Sequence, residues 1–437
     1  MSNSNNSTAT SFTRRQALQI LGFAATLTTA AARAKSNGIS ARVAVIGGGF
    51  GGATLARRLK EIAPDLRVSL IEKNETYTAC PLSNLVLSGH RNIAQQQFRL
   101  TGLKRYGIHV VQDEASNIDT TNRQISLRGG ATQNYDKVVV APGIRLLWQA
   151  IEGYTEAATA QMPHAWQAGS QTLLLRRQLM AMPDNGTVVM AVPENPYRCP
   201  PGPYERASLI ANYLSRHKPR AKLLLLDAKD NFSKQALFQQ GWQSLYGNRI
   251  EWRGLADSGK VIGVDPTKRL VQTDFDSEHA DVANIIPPQA AAGIATSAGL
   301  TDASGWCPID PLTFASTLVN DAYVIGDAAI ANAMPKSAFA ANAQAKVCAA
   351  QIVQELNGEP PLSTTLINTC YSLIAPDYGI SVAGVYRAGP KGLESQAGTG
   401  GTSSPDASAR TRALEARYAR SWFTTVTREA FASEESP

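Results

Sequence analysis

Three kinds of feature are missing from this chain, and each absence excludes a class of function. Beyond the first 35 residues no apolar run approaches the roughly 18–20 residues that cross a bilayer, so we predict no membrane insertion. No cluster of lysine and arginine with interleaved aromatic residues is present, which argues against a nucleic-acid partner. The five cysteines form no C-x-x-C-H motif, so any haem c has to belong to a separate chain, and we predict no metal site.

What is present is typical of a globular protein with more than one domain. The chain has 437 residues, of which 43% are hydrophobic and 18% charged. That length allows two or three domains, each with a core of its own.

The N-terminal residues 1–34 predict a twin-arginine export signal. Arg14 and Arg15 precede an Ala/Thr-rich apolar stretch that closes with the cleavage pattern Ala32-Arg33-Ala34, although Ala17 stands where such signals usually have phenylalanine. The alternative is a disordered basic tail, which would not explain the order of these three features. We therefore expect a periplasmic protein, whose formal net charge falls from +7 to about +4 when the signal is removed.

A glycine-rich motif near the start of the mature chain predicts a dinucleotide site. Gly47, Gly49 and Gly52 form G-x-G-x-x-G between a short apolar strand and a helical stretch, and Glu72 ends the next strand. The first glycine permits the tight turn, the second lets the backbone approach a pyrophosphate, and the third allows close packing of helix on strand. Glu72 is expected to accept hydrogen bonds from the adenosine ribose.

Two later segments favour FAD over NAD at that site. Val138–Gly143 and Val324–Asp327 look like the internal strand motifs of flavoproteins with two dinucleotide-binding domains, where the aspartate bonds the ribityl chain. A helix after Lys336 would aim its positive N-terminus at the flavin, where it stabilises negative charge. Gly143, Asp327 and Lys336 therefore join the predicted cofactor site.

A second strand–helix–strand unit has lost the means to bind a nucleotide. Asp227 occupies the ribose-acid position, but the loop at 193–204 has one glycine and five prolines. Prolines have no N–H group, so this loop cannot supply the amide donors that hold a pyrophosphate. NADH is not expected as a substrate. A simpler alternative makes the loop a rigid turn around a buried cysteine.

The alternation of strands and helices predicts an α/β fold class. We expect two Rossmann-like dinucleotide-binding domains, of the glutathione-reductase-like type, and a C-terminal α+β interface domain. The expected boundaries are a signal at 1–34, a discontinuous FAD-binding domain at 38–150 and 292–360, an NAD-domain-like domain with the cysteine loop at 151–291, and the interface domain at 361–437.

Five segments together resemble one family, the flavoprotein subunit of flavocytochrome c sulfide dehydrogenase. They are Tyr197–Arg206, Gly305–Pro308, Ala333–Ser337, Asn368–Ser372 and Ala375–Ser381. The likeness covers essentially all of the mature chain.

The resemblance implies roles for the cysteines. Cys80 stands where the family attaches FAD as an 8α-S-cysteinyl thioether, although the proline after it departs from the family pattern, and a non-covalent flavin is the alternative. The other four cysteines allow six pairings, of which the family pattern selects Cys199–Cys370 as a redox-active disulfide. Cys348 in an Ala-rich helix is expected to be a buried apolar residue, and a structural role is favoured for Cys307.

The resemblance also implies an activity. Sulfide would be oxidised to zero-valent sulfur or polysulfide through the disulfide and FAD, and a c-type cytochrome subunit would take the electrons, docked largely through residues beyond about 360. Glu205 is a candidate general base or, alternatively, an ordinary acid at a helix N-terminus. Arg198 and Lys336 are expected either to attract HS⁻ or to be ordinary solvated cations.

Two other functions are consistent with the same motifs. A sulfide:quinone oxidoreductase shares the flavin domains and paired cysteines, but it would need a membrane-binding surface, and 410–431 has no sustained apolar face. An accessory flavoprotein of a sulfur-oxidising complex would keep every motif and lack turnover.

Overall fold

The computed structural model describes residues 40–432. The export signal predicted at 1–34 lies outside these residues and stays a prediction. Between residues 40 and 432 no helix is long and apolar enough to span a membrane.

The described chain alternates between short strands and helices. The helices are α1 (Phe50–Ile62), α2 (Asn84–Leu87), α3 (Ser170–Ala181), α4 (Gly202–His217), α5 (Gln235–Tyr246), α6 (Gly293–Ser297), α7 (Ala338–Leu356) and α8 (Ala409–Phe431). The strands are β1 (Arg42–Ile46), β2 (Arg67–Ile71), β3 (Thr76–Thr78), β4 (Gln97–Arg99), β5 (His109–Val111), β6 (Ala115–Asp119), β7 (Gln124–Leu127), β8 (Thr132–Asn134), β9 (Lys137–Val140), β10 (Ile144–Leu146), β11 (Thr187–Val192), β12 (Lys222–Asp227), β13 (Ile250–Arg253), β14 (Val261–Asp265), β15 (Leu270–Thr273), β16 (Ser277–His279), β17 (Val282–Ile285), β18 (Gln289–Ala291), β19 (Ala322–Val324), β20 (Thr365–Ala375), β21 (Tyr378–Gly389), β22 (Gly392–Ser395) and β23 (Gly401–Thr402).

The first sheet has five parallel strands in the order β19-β9-β1-β2-β5. Its central strands β1 and β9 are almost entirely buried, as is usual for a parallel sheet covered on both faces. Helices α1 and α7 pack against each other beside it. Strand β19 pairs with β9 although residues 141–321 separate the two in sequence, so the sheet is completed by a distant segment.

The second sheet is also parallel, with the order β13-β12-β11-β17. All four strands come from the stretch that separates β9 from β19. The sequence predicts a helix from Glu205 to Arg216, and the observed α4, which follows β11 after the cysteine loop, begins three residues earlier at Gly202. The N–H groups of the first helical turn form no intrahelical hydrogen bonds, so proline is tolerated there. The helix can therefore begin within the proline-rich segment.

The C-terminal part is an antiparallel sheet with a long helix laid across it. Strands β20 and β21 form a hairpin in which Cys370 lies opposite Val382, and β22 and β23 both pair with β21. Helix α8 packs on β21 and on α1. A Cβ atom on Gly379 would lie 2.4 Å from the backbone nitrogen of Ala416, so this contact requires glycine.

The predicted α/β class with two parallel sheets is confirmed. The sequence predicts strands at 42–46 and 67–71, and β1 and β2 have these bounds. It also predicts helices at 337–357 and around 410–431, and α7 and α8 begin and end within one residue of them. The domain boundaries stay a prediction, because the described residues 40–432 belong to a single compact unit.

Candidate functional site

The glycine motif forms a backbone cradle at the carboxyl end of β1. Gly47 has a φ of +99°, and a Cβ atom there would lie 2.3 Å from the carbonyl oxygen of Ala141. A Cβ atom on Gly52 would lie 2.0 Å from the Gly47 oxygen. Gly49 precedes α1 in an extended conformation and has only the Tyr77 ring near it. The backbone is therefore exposed to an incoming group at the helix N-terminus, where a pyrophosphate is favoured.

Glu72 lies at the end of β2 beside this cradle. One carboxylate oxygen accepts a hydrogen bond from the Gly48 nitrogen at 2.8 Å, and the other accepts from the Asn74 backbone at 2.9 Å. The side chain is thus held at the entrance to the turn, where a ribose would meet it.

A cavity of about 560 Å³ runs from the glycine cradle to the cysteines. It brings together nine of the eleven residues predicted for the site, from all three parts of the chain: Gly47, Gly49, Glu72, Cys80, Gly143, Cys199, Glu205, Asp327 and Cys370. The other two predicted residues, Gly52 and Lys336, do not line the cavity.

Asp327 presents an unused acceptor in this cavity wall. It follows β19 in a turn, and its Oδ1 atom is buried without a hydrogen-bond partner. Burial raises the pKa of its carboxyl, while the charges of Arg198 and Lys336 act in the opposite direction. A buried acceptor without a partner is costly, and a ligand hydroxyl would satisfy it, so the site fits the ribityl chain of FAD.

The N-terminus of α7 faces the same cavity. Ser337 caps the helix by accepting from the Ala340 nitrogen at 3.0 Å and donates to Asn368 Oδ1 at 2.7 Å. Ala338 and Phe339 line the cavity, and the first helical turn has no acidic residue. The positive end of the helix dipole is therefore free to stabilise negative charge on a flavin.

Lys336 stabilises the turn that contains Asp327. Its Nζ donates to the carbonyl oxygens of Asp327 and Ala329 at 2.9 and 2.8 Å and lies 3.8 Å from the centre of the Trp306 ring. Burial lowers the pKa of Lys336 to about 8. The Lys336 side chain is therefore neither a solvated cation nor placed to attract an anion, the two roles expected for it.

Cys199 lies in a constrained turn of the cavity wall, in the loop before α4. Its φ is +59°, its nitrogen donates to the carbonyl of Lys336 at 2.8 Å, and its carbonyl accepts from Gly202 at 2.8 Å. A Cβ atom on Gly202 would lie 2.9 Å from the Cys199 sulfur, so the start of α4 needs glycine to admit the thiol. Burial, with a contribution from Cys370, raises the pKa of the Cys199 thiol.

Cys370 reaches the same cavity from β20. The Asn368 side chain donates to its sulfur at 3.2 Å. Lys234 donates from its Nζ to the Cys370 carbonyl oxygen and to Ser372 Oγ, both at 2.8 Å, and burial lowers its pKa to about 8. Cys199 and Cys370 are both free thiols in this structure, as are the other three cysteines.

Glu205 joins the two cysteine segments. One carboxylate oxygen accepts from the Leu373 nitrogen at 2.9 Å, and the other accepts from Asn84 Nδ2 at 3.0 Å. Burial raises the pKa of this carboxyl, and these hydrogen bonds and the charge of Lys234 act in the opposite direction. A buried carboxyl with a raised pKa in the cavity wall suits proton transfer near neutral pH.

Cys80 lies between β3 and α2 and lines the cavity, with its sulfur 3.8 Å from the carbonyl oxygen of Trp166. Arg198 donates to that same carbonyl and faces the cavity, so it is not an ordinary solvated cation. Cys348 is buried in α7 and Cys307 is buried beside Ala329, as their predicted structural roles require.

The sequence assigns no role to several residues that build this wall, although Arg206 ends the family segment Tyr197–Arg206. Arg206 is 4% exposed and donates to four oxygen atoms of neutral groups, among them Asn84 and Asn284, while its guanidinium lies 5.0 Å from the centre of the Trp166 ring. Burial lowers its pKa to about 10. Lys234 likewise lies in a left-handed turn without a motif around it.

The ribose-acid position of the second unit is filled by the protein itself. Asp227 is fully buried and accepts from the Tyr204 hydroxyl at 2.6 Å, from Trp252 Nε1 at 3.1 Å and from Lys229 Nζ at 2.5 Å. The Tyr204 ring stacks on Phe232 with centroids 3.6 Å apart. The carboxylate is fully buried behind these side chains, so a ribose cannot reach it, which supports the expectation that NADH does not bind.

We expect Asp227→Ala to act on stability and not on cofactor choice. Removal of the carboxylate leaves a buried lysine unpaired, so the free energy of unfolding should fall by about 3 kcal/mol in a denaturant titration. The flavin of the purified wild-type holoprotein should keep its absorbance in excess NADH and lose it with dithionite. Bleaching by NADH that Asp227→Ala abolishes would mean that the carboxylate binds a nucleotide.

Family models agree with this site. Residues 172–287 match the model "Sulfide dehydrogenase [flavocytochrome c] flavoprotein chain, central", and 363–431 match "Flavocytochrome c sulphide dehydrogenase, flavin-binding". Residues 41–177 match "Pyridine nucleotide-disulphide oxidoreductase". The glycine cradle, the Asp327 oxygen without a partner and the match to the flavin-binding family model together establish that the chain binds FAD.

Similar proteins point the same way. The crystal structure of the sulfide:quinone oxidoreductase from Aquifex aeolicus superimposes with a TM-score of 0.69 at 16% identity, over 90% of this chain and 93% of that chain, which shows a shared fold. The mitochondrial sulfide:quinone oxidoreductase of Mus musculus is 21% identical over 65% of each chain, slightly less than two thirds of the mouse protein. A flavoprotein chain of flavocytochrome c sulfide dehydrogenase from Chlorobaculum thiosulfatiphilum is 47% identical over 45 residues, which cover 94% of that sequence and 10% of this one. With two of its own family models matched and this relative covered almost completely, the chain belongs to the flavocytochrome c sulfide dehydrogenase flavoprotein family.

Proposed function

We propose that this protein oxidises sulfide to zero-valent sulfur or polysulfide through Cys199, Cys370 and FAD, and that a c-type cytochrome subunit receives the electrons. The observation that carries the proposal is the single cavity shared by the glycine cradle, Asp327 and the two cysteines. Thiols placed beside a dinucleotide cradle suit electron transfer from a sulfur compound, and the filled Asp227 position removes NADH as the donor.

The cysteines perform the sulfur chemistry in this proposal. In the oxidised protein they form a disulfide, and HS⁻ attacks one sulfur, so that a new S–S bond forms as the Cys–Cys bond breaks. One cysteine becomes a persulfide and the other leaves as a thiolate. A second nucleophile then takes the terminal sulfur from the persulfide, and the pair is left as two thiols, two electrons more reduced.

FAD, when bound, supplies the acceptor for those two electrons and can release them singly to a one-electron carrier. Gly47 and Gly49 would hold its pyrophosphate, Glu72 its ribose and Asp327 its ribityl chain. The N-terminus of α7 would stabilise its reduced, anionic form.

Lys234 and Asn368 support the thiol chemistry from behind β20. The ammonium group is fixed to the Cys370 carbonyl, and the amide donates to the Cys370 sulfur. The cation and the amide hold the Cys370 segment in place, so that its sulfur keeps its position for exchange. Glu205, which is bonded to the Leu373 nitrogen of the same strand, would take the proton of the incoming hydrosulfide.

A quinone is the alternative electron acceptor, because the mouse and Aquifex relatives are named as sulfide:quinone oxidoreductases. Comparing a c-type cytochrome with a water-soluble quinone as acceptor decides between the two. If the holoprotein bleaches with sulfide but passes electrons to neither acceptor, the accessory-protein alternative is favoured.

We also propose that the protein is exported in folded form to the periplasm by its twin-arginine signal. A cofactor acquired in the cytoplasm would then travel with the folded chain. Fractionation of cells that carry an Arg14→Lys, Arg15→Lys variant tests this, since the cofactor-loaded protein should stay in the cytoplasm.

Replacement of either cysteine should abolish reduction by sulfide. In an anaerobic titration, Cys199→Ser and Cys370→Ser should each lower the rate of flavin bleaching by about 10³-fold or more, because a single thiol cannot form the disulfide that HS⁻ attacks. Cys348→Ser, which changes a buried cysteine of α7, is the matched control and should bleach like the wild type. Normal bleaching in both cavity variants would rule out the disulfide route.

The Glu205→Gln substitution should slow bleaching by sulfide by about 10²-fold at neutral pH, since the amide cannot accept a proton. A base works only when unprotonated, so the wild-type rate of flavin bleaching should rise as the pH passes through the raised pKa of Glu205. This rise should be absent from the variant. The ionisation of sulfide itself contributes equally to both profiles. A loss of stability with an unchanged pH profile would instead mark Glu205 as structural.

Covalent attachment through Cys80 can be tested without turnover. After denaturation and acid precipitation, the wild-type pellet should keep its flavin colour and the intact mass should include FAD. Cys80→Ser should release the flavin to the supernatant and yet bind it when native, since the cradle and Asp327 are untouched. If the wild type releases its flavin, the thioether is absent.

A further inference from the structure

Four arginines and a histidine from separate segments meet beside the cavity. Arg216, in the last turn of α4, has its Nη1 atom 3.0 Å from His90 Nε2. Arg176 of α3 donates to the carbonyl oxygens of Val86 and Leu87, both at 2.9 Å, and so lies against the segment that leads to His90. These three side chains therefore occupy one small region of the surface.

Two more arginines extend this region toward the C-terminal helix. Arg91 lies with its guanidinium 4.9 Å from the centre of the Phe423 ring. Arg420 donates to the carbonyl oxygens of Ala416 and Pro376. We call His90, Arg91, Arg176, Arg216 and Arg420 the basic collar.

Among residues 40–432, no carboxylate neutralises the collar by direct contact. Its arginines donate to backbone carbonyls, to a glutamine and to the His90 ring. Burial lowers the pKa of His90, and the charges of Arg216, Arg420 and Arg176 lower it further, with only Asp377 acting in the opposite direction. Cations that repel one another in this way are stabilised by an anionic partner.

An aromatic rim of the cavity shares helix α8 with Arg420. Trp422 of this helix stacks on Phe339 with centroids 5.8 Å apart and lies 6.5 Å from Tyr371. All three aromatic residues are half-buried and line the cavity mouth beside Cys370. Half-buried aromatic residues next to arginines are the composition that protein interfaces favour.

We propose that the basic collar is the docking surface for an acidic face of the cytochrome that accepts the electrons. The proposal rests on the proposed function, which supplies a protein acceptor. The arginines are held at different points, three by backbone carbonyls and Arg216 by the His90 ring, and none lines the cavity, so they do not converge on a small anion. Fixed charges spread over a surface instead attract and orient a large partner.

Two forms of one cytochrome test this. Mitochondrial cytochrome c is strongly basic, and its succinylated form is acidic with the same haem and fold. The holoprotein is reduced anaerobically with sulfide, and haem reduction is followed by stopped flow. At low ionic strength the succinylated form should be reduced about tenfold faster or more, and salt should remove the difference. Equal rates for the two forms would overturn the proposal without any variant.

A double variant, Arg216→Gln with Arg420→Gln, locates the effect. It should slow reduction of the succinylated form about tenfold at low salt and flatten its salt dependence. The matched control is Arg128→Gln with Arg220→Gln, two exposed arginines that pair with Glu114 and Asp184. The control should react like the wild type, and no difference between the two double variants would refute the assignment.

The same variants separate docking from substrate attraction. Flavin bleaching by sulfide should be unchanged in the collar variant. If bleaching slows and cytochrome reduction does not, the collar attracts HS⁻ and the docking proposal is wrong. If sulfide fails to bleach even the wild type, the proposed function fails, and reduction by dithionite followed by removal of the reagent leaves the docking measurement intact.

Discussion

The buried carboxylate of Glu205 is the interaction on which the site depends most. It belongs to the helix that follows the Cys199 loop, and it accepts one hydrogen bond from α2 of the FAD-binding part and one from β20, the strand of Cys370. Three segments that are far apart in sequence are thereby fixed at one point. Because a buried charged acceptor is stable only while its donors stay in place, the carboxylate favours the arrangement in which both cysteines face the cavity.

Local patterns explain how much of this could be predicted from the sequence. Gly47, Gly52 and Glu72 act within a single strand–helix–strand unit, so their spacing alone indicates their geometry. Lys234 and Arg206 have no local spacing of this kind, although Arg206 ends a family segment, because their partners are backbone carbonyls and amides of distant segments that only the folded chain brings near. Lys336 was predicted from its place before helix α7, yet its side chain bonds the backbone of the Asp327 turn and does not line the cavity.

The second strand–helix–strand unit illustrates how a nucleotide site can be given up while its fold is kept. Asp227 still ends β12, as a ribose-binding acid would, but a tyrosine, a tryptophan and a lysine of the same chain now occupy its oxygens. The prolines of the preceding loop remove the amide donors, and the aromatic stack fills the space beside them. The expected selectivity against NADH thus has two physical sources, a missing set of donors and an acid that is fully buried.

The late arrival of β19 has a consequence for biosynthesis. The strand that positions Asp327, and the helix α7 whose N-terminus faces the cavity, are made only after the whole second sheet. A ribosome-bound chain therefore lacks half of the flavin site until more than three quarters of it has been translated, and long-range strand pairing of this kind is slow. Flavin binding therefore reports on folding. Chains that stop early remain colourless, and a chain that holds flavin has already completed the most demanding step of its folding.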